Sequence, residues 1–285
     1  MPDWNLEVRR LINHRQLAEA ERLIVERLVA TPRAPDLILL LAEVRFNQQR
    51  YEESLHLLDN VRELKESTTA QMSLLRGLNH VALGHLELAE SSLREAVRRD
   101  PTLASAHYYL GRLLYTWNRF DEAVEEFQVA IRLDPNWPRA YDNLGLCYEA
   151  KQEYEAAEQA FLEAIRLVEK QELKLEWPSL NLGTMLLKRN ELARAKPHIL
   201  KALELNSKSA EAHFQQAILH EREGNLEAAL RELQRATELE TNRAEAYYRA
   251  GRIYQRLGKT PQARKQFVAF EQASRTKKKA SAKRE

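Results

Sequence analysis

A single cysteine, Cys147, occurs in 285 residues, which excludes an intramolecular disulfide framework and any metal site built from several cysteines. No run of 18 consecutive apolar residues exists, so no membrane-spanning helix is expected. The amino end, Met1-Pro2-Asp3-Trp4, has no basic start followed by an apolar stretch, the pattern of a secretory signal. With no cysteine framework to oxidise, the expected setting is cytoplasmic. There is no His-Glu-x-x-His, no Gly-rich phosphate loop, no serine elbow and no isolated carboxylate pair. The expectation is a protein that is not an enzyme and uses neither cofactor nor metal. His213 and His220 lie seven apart on one helix face, yet a later segment places Tyr247 and Tyr254 in the same slots, so they read as packing residues. Cys147 reads as a small apolar filler. An excess of one charge sign is also missing: 44 basic against 42 acidic residues leave +2, too little to point to nucleic acid or membrane as partner.

What the sequence has is repetition. A composition 30% charged and 44% hydrophobic indicates a soluble, folded chain. Counting Ala104 as position 1, His107, Leu110, Gly111, Leu114, Ala123, Phe127, Ala130 and Pro135 fall at positions 4, 7, 8, 11, 20, 24, 27 and 32. A second count from Pro138 puts Tyr141, Leu144, Gly145, Tyr148, Ala157, Phe161 and Ala164 in the first seven of those slots. The period is 34 residues. Further units begin near residues 1, 35, 70, 176, 210 and 244, the one at 176 following an insertion of four residues around Glu169–Leu175. That insertion predicts a lengthened second helix or a longer connection.

Within a unit, apolar residues at positions 4, 7, 8 and 11, then at 20, 24 and 27, have the spacing of two amphipathic helices. Position 15, between them, is Gly84, Asn118, Asn190, Gly224 or Gly258, residues that tolerate the left-handed conformation closing a helix. Pro197 falls inside a second helix and predicts a kink or a shortened helix there. Residues 275–285 carry six basic side chains against one acidic, so this segment is +5 and the remainder −3. It reads as a basic disordered tail.

This pattern of aromatic, Leu-Gly, aromatic, Ala, Phe and Pro resembles the tetratricopeptide repeat (TPR) family. The resemblance implies an all-α fold: a right-handed superhelical solenoid of about eight helix-turn-helix repeats over residues 1–274. It also implies that positions 2, 5, 6, 9, 12 and 13 of the first helices line a concave groove. Position 6 in the five C-terminal units is Tyr109, Asn143, Asn181, Gln215 and Arg249. A carboxamide both donates and accepts, so it can pair with a peptide backbone whatever the side chains. The series is similar to the asparagine ladder of O-linked N-acetylglucosamine transferases, with Asn143 and Asn181 matching and Gln215 a near match, and without a catalytic domain. Around it lie Tyr108, Asp142, Trp177, Phe214 and Tyr248, with Arg112, Arg139, Lys188 and Arg252 in neighbouring slots. Aromatic faces beside cations suit an extended, acidic peptide. The carboxylate clamp of chaperone-binding repeats matches at Asn143 alone among five slots.

Towards the amino end the same line is apolar: Leu39, Leu40, Leu74, Leu75 and Leu78, with Leu6, Phe46 and Val81. These leucines form either an interaction patch, for a partner helix or a second copy of the chain, or part of the core. The expected function is a non-catalytic adaptor or scaffold that binds an extended peptide or helix of another protein. The alternatives are a targeting subunit that presents substrates to a separate enzyme and a self-assembling scaffold.

Overall fold

The computed structural model describes residues 4–32, 34–63 and 69–281, with side chains over 4–32, 34–61 and 69–276. Among them are sixteen α-helices and no strand: α1 (Trp4–Asn13), α2 (Leu17–Ala30), α3 (Pro35–Asn47), α4 (Tyr51–Glu63), α5 (Ala70–Leu83), α6 (Leu86–Arg99), α7 (Ala104–Thr116), α8 (Phe120–Leu133), α9 (Pro138–Ala150), α10 (Tyr154–Lys170), α11 (Trp177–Lys188), α12 (Leu192–Leu205), α13 (Ala210–Arg222), α14 (Leu226–Leu239), α15 (Ala244–Arg256) and α16 (Thr260–Ser281). They form an all-α solenoid of helix pairs. The chain divides into two compact units, residues 1–147 and 148–285. In the first, each helix from α1 to α8 packs on the next, and α3, α5 and α7 also touch in sequence. In the second, the same holds from α10 to α16, with α11 on α13.

Each pair closes by one device. The residue at position 15 has positive φ in every repeat: Arg15, Gln49, Gly84, Asn118, Gln152, Asn190, Gly224 and Gly258. The following N–H donates to the carbonyl five residues back, for example His85 to His80, Arg119 to Leu114 and Asn225 to His220, at 2.8 to 3.0 Å. This is the six-to-one bond of a left-handed helix stop, which satisfies a carbonyl that the helix end would otherwise orphan. Once closed, the two helices meet through small residues. Ala89, Ala123, Ala157, Ala195 and Ala229 are fully buried at position 20. A Cβ on Gly111 would stand 3.0 Å from the Phe127 ring, and one on Gly251 would stand 2.7 Å from Phe267. These glycines let the partner rings sit against the backbone of the first helix.

Three expectations are corrected here. Pro197 does not shorten its helix: α12 has 14 residues, as do α6, α8 and α14. The proline is exposed, so the hydrogen bond it removes lies on the solvent side. The basic segment is not a disordered tail where described, since α16 continues to Ser281. Nothing after Pro261 breaks a helix, and Lys, Arg and Ala propagate one well. Residues 282–285 lie outside the described residues. Finally, Leu39, Leu40 and Leu75 are core rather than an exposed patch. Leu40 packs with Val8, Ile24 and Val44, and Leu39 and Leu75 pack with Leu58, Val61 and Met72. α3 buries Leu37 through Ala42 without interruption because it has neighbours in α2, α4 and α5. Leu74 and Leu78 are half-buried, and Leu6 and Val81 are exposed. The four-residue insertion lengthens a helix: α10 has 17 residues, is followed by Glu172 with φ +52, and buries Val168 among its three added residues.

Candidate functional site

In the second unit, α13, α15 and α16 wall a pocket of about 590 Å³ lined by Phe214, Glu221, Glu245, Tyr248, Arg249, Arg252, Arg256 and Phe270. The 3.6-residue turn sets it out: Tyr248, Arg252 and Arg256 succeed one another at i, i+4 and i+8 along α15. Tyr248 is 44% exposed, with its ring 5.4 Å from Phe270 and 6.0 Å from Phe267. The guanidinium of Arg243 lies 4.7 Å over the Phe214 ring and that of Arg249 lies 5.9 Å away, within cation–π range. Glu221 holds Arg249 at 2.6 Å and Arg256 at 3.5 Å. Arg252 reaches the Tyr248 hydroxyl at 3.4 Å. Three guanidiniums against two carboxylates leave the lining net positive, over apolar walls.

Gln215 is placed differently from the expectation. It is 8% exposed, and its Nε2 donates to Glu211 Oε1 at 2.6 Å, so it is built into the packing rather than offered to a ligand. The reason is local: Glu211 lies one turn earlier on the same face. Asn181 and Trp177 lie partly buried on α11. Lys188 is exposed and pairs with Glu149 at 2.7 Å.

In the first unit, Tyr108 is buried beneath Trp137, ring centroids 4.3 Å apart, and meets Tyr109 edge-on at 5.1 Å. Burial pushes its phenol above the usual range. The Arg112 guanidinium stands 5.8 Å from both rings. Asn143 is half-buried, and its Nδ2 donates to the Arg139 carbonyl one turn earlier, at 2.8 Å. Asp142 is buried and Arg139 exposed. Tyr109, Arg112, Arg139 and Asn143 thus share the accessible side of this unit's first helices, while Tyr108 and Asp142 lie beneath it.

Tetratricopeptide repeat models match residues 74–138 and 180–244, residues 138–170, and residues 245–272. The chain belongs to the tetratricopeptide repeat family. Comparison with curated proteins finds no match. Among solved structures, Pseudomonas aeruginosa pilF is 24% identical, with 71% of this chain and 90% of that one covered and a TM-score of 0.63. Yeast Tom70 is 17% identical, with 94% of this chain and 59% of that one covered and a TM-score of 0.62. The APC/C hetero-tetramer Cut9-Hcn1 is 16% identical, with 95% of this chain and 52% of that one covered and a TM-score of 0.69. At these identities the likeness carries the fold alone. Family membership supports a protein-interaction role.

Four residues of the TPR pocket were not among the site residues expected from sequence: Glu221, Glu245, Arg256 and Phe270. Phe270 had a signal, since it stands at position 27 where Ala130, Ala164 and Ala236 stand in other repeats. Among the described residues no group of three His, Cys, Asp or Glu is arranged to hold a metal ion.

The TPR histidines take part in packing with a polar end. His107 Nδ1 lies 2.6 Å from Glu126 and its Nε2 lies 3.1 Å from the Pro101 carbonyl. His213 repeats this with Glu232 at 2.7 Å and the Ser207 carbonyl at 3.1 Å. At His107 the two acceptors favour an imidazolium. The Glu126 hydrogen bond raises the His107 pKa above 6.5 and the Pro101 carbonyl adds to this, while burial opposes it. A group that binds its proton more tightly when folded contributes most below its unfolded pKa, and the contribution is lost as pH rises through the folded value. The urea midpoint is therefore expected to fall between about pH 6 and about pH 8.5, and to fall less in His107→Gln. An equal fall in both proteins would remove His107 from the account.

Proposed function

We propose that this chain is a non-catalytic adaptor that holds an extended segment of a partner protein against the first helices of its repeats. The observation that carries this reading is the pocket between α13, α15 and α16, whose apolar floor is ringed by arginines. Such a lining suits a peptide that presents an apolar side chain among carboxylates. In the first unit Arg112, beside Tyr109, offers the same pairing of cation and aromatic face. The asparagines would add register, each contributing about 1 kcal/mol through a backbone amide.

The test is capture by the full chain followed by identification of the bound segment and its resynthesis. Affinity for that peptide is then measured with Asn143→Ala and Asn181→Ala, made separately because the two lie in different units. Each is expected to weaken binding about fivefold while leaving the helical circular dichroism unchanged. Undiminished affinity in both would remove the asparagine ladder. A captured segment that is neither acidic nor apolar-anchored would argue against the pocket.

A further inference from the structure

The third repeat departs from its neighbours in a way that makes a second cavity. In repeats four and seven, position 4 is a histidine whose ring meets a glutamate at position 23: His107 with Glu126, His213 with Glu232. In repeats five and eight position 4 is Tyr141 or Tyr247. The third repeat has Ser73 at position 4 and Ser92 at position 23. Both ring and carboxylate are replaced by a hydroxymethyl group, and a cavity of about 490 Å³ lies between α5 and α6, lined by both serines. Ser73 is fully buried, and its Oγ has no hydrogen-bond partner in the protein, a costly state for a buried hydroxyl.

The rest of the lining is mostly cationic: Arg76, Arg94, Arg98 and Arg99, with Ser91 and one carboxylate, Glu95. Position 7, Leu110 or Leu144 in the next two repeats, is here Arg76, 9% exposed. Its Nη2 lies 3.0 Å from both the Leu58 carbonyl and Asp59 Oδ1. Arg98 and Arg99 also line the cavity, and both pair with one carboxylate, Glu95, Arg99 at 2.5 Å. Arg94, the fourth arginine of the lining, is held by Glu90 at 2.8 Å and Glu122 at 3.0 Å, so four guanidiniums stand beside the serine hydroxyls with Glu95 as the one lining carboxylate. We propose that this cavity binds a tetrahedral oxyanion, a phosphate or phosphate monoester. Ser73 from α5 and Ser92 from α6 would donate hydroxyls, and the arginines would add planar N–H forks that match phosphate oxygens. The site is separate from the pocket in the second unit and does not depend on it.

The resident carboxylate gives the test its sign. Titration calorimetry on the full chain uses inorganic phosphate in one arm, and a phosphoserine peptide beside its unphosphorylated twin in the other. Binding is expected for at least one phosphorylated ligand. Equal affinity for free phosphate and phosphopeptide identifies a site for the ion, and preference for the peptide identifies a site for a modified chain. Glu95→Gln removes the competing anion and is expected to tighten binding about threefold or more. Ser73→His with Ser92→Glu rebuilds the ring and carboxylate of the neighbouring repeats and is expected to abolish binding while thermal unfolding remains cooperative. Three results would each overturn the site: no binding of either ligand, weaker binding in Glu95→Gln, or unchanged binding in a folded double variant. If the double variant fails to fold, Glu95→Gln alone decides.

Discussion

Phe127→Ala is expected to destabilise the first unit by about 3–5 kcal/mol, the range for deleting a fully buried ring. Phe127 has no exposed surface, its ring abuts the backbone at Gly111, and it lies 5.9 Å from Tyr108, itself stacked on Trp137. The space cannot collapse easily. Gly111 has no side chain to move inward, and Ala123 and Ala130, one turn away on α8, are already buried. Such a loss is comparable with the whole stability of many domains, about 5–15 kcal/mol. In a repeat array it is expected to show as an earlier, separate transition in urea, because each repeat depends mainly on its nearest neighbours. A single transition shifted by less than the equivalent of about 1 kcal/mol would mean that the ring contributes no more than a surface side chain.

The period and the helix pairs were legible because many slots agree at once, and the turn shows where legibility stops. Position 15 is left-handed in all eight repeats, but only Gly and Asn announce it, so Arg15, Gln49 and Gln152 were missed. A non-glycine residue there costs about 1–2 kcal/mol, and the six-to-one hydrogen bond with the packing of the second helix outweighs that cost. α3 failed for another reason. With leucine or isoleucine from Leu37 to Leu41, no period distinguishes its faces, so groove and core were indistinguishable until its neighbours were placed. Gln215 was legible as a carboxamide in the right slot, but its bond to Glu211 depends on which rotamers the helix face admits. The pocket in the second unit was half legible. Phe214, Tyr248, Arg249 and Arg252 follow from the repeat frame as groove positions, whereas Phe270 joins them from position 27 of the second helix, a slot that the frame gives to packing.

The largest effect on binding is expected from Phe214→Ala combined with Tyr248→Ala, which should lower affinity for the captured peptide by about 2–4 kcal/mol, roughly 30- to 1,000-fold. Aromatic anchors dominate such interfaces because they bury much area at little entropic cost. Tyr248 is 44% exposed without ligand and so has area still to bury, and Phe214 presents a face already flanked by Arg243 and Arg249. Neither ring is among the fully buried side chains, but Phe214 packs against the core of this region, Ala217, Leu233, Ala246 and Ile253, so cooperative thermal unfolding of the double variant is checked beside its affinity. Arg252→Glu separates apolar from ionic contributions. It reverses a charge whose contact is the Tyr248 hydroxyl rather than a glutamate, and should remove most of the salt dependence while leaving the aromatic anchorage. Fluorescence anisotropy of the labelled peptide at low and high salt reads both effects. A double variant that binds as well as the wild type would exclude this pocket as the anchor. A salt response unchanged in Arg252→Glu would instead assign the charge recognition to Arg249 and Arg256, whose shared partner Glu221 would then have to yield to the ligand.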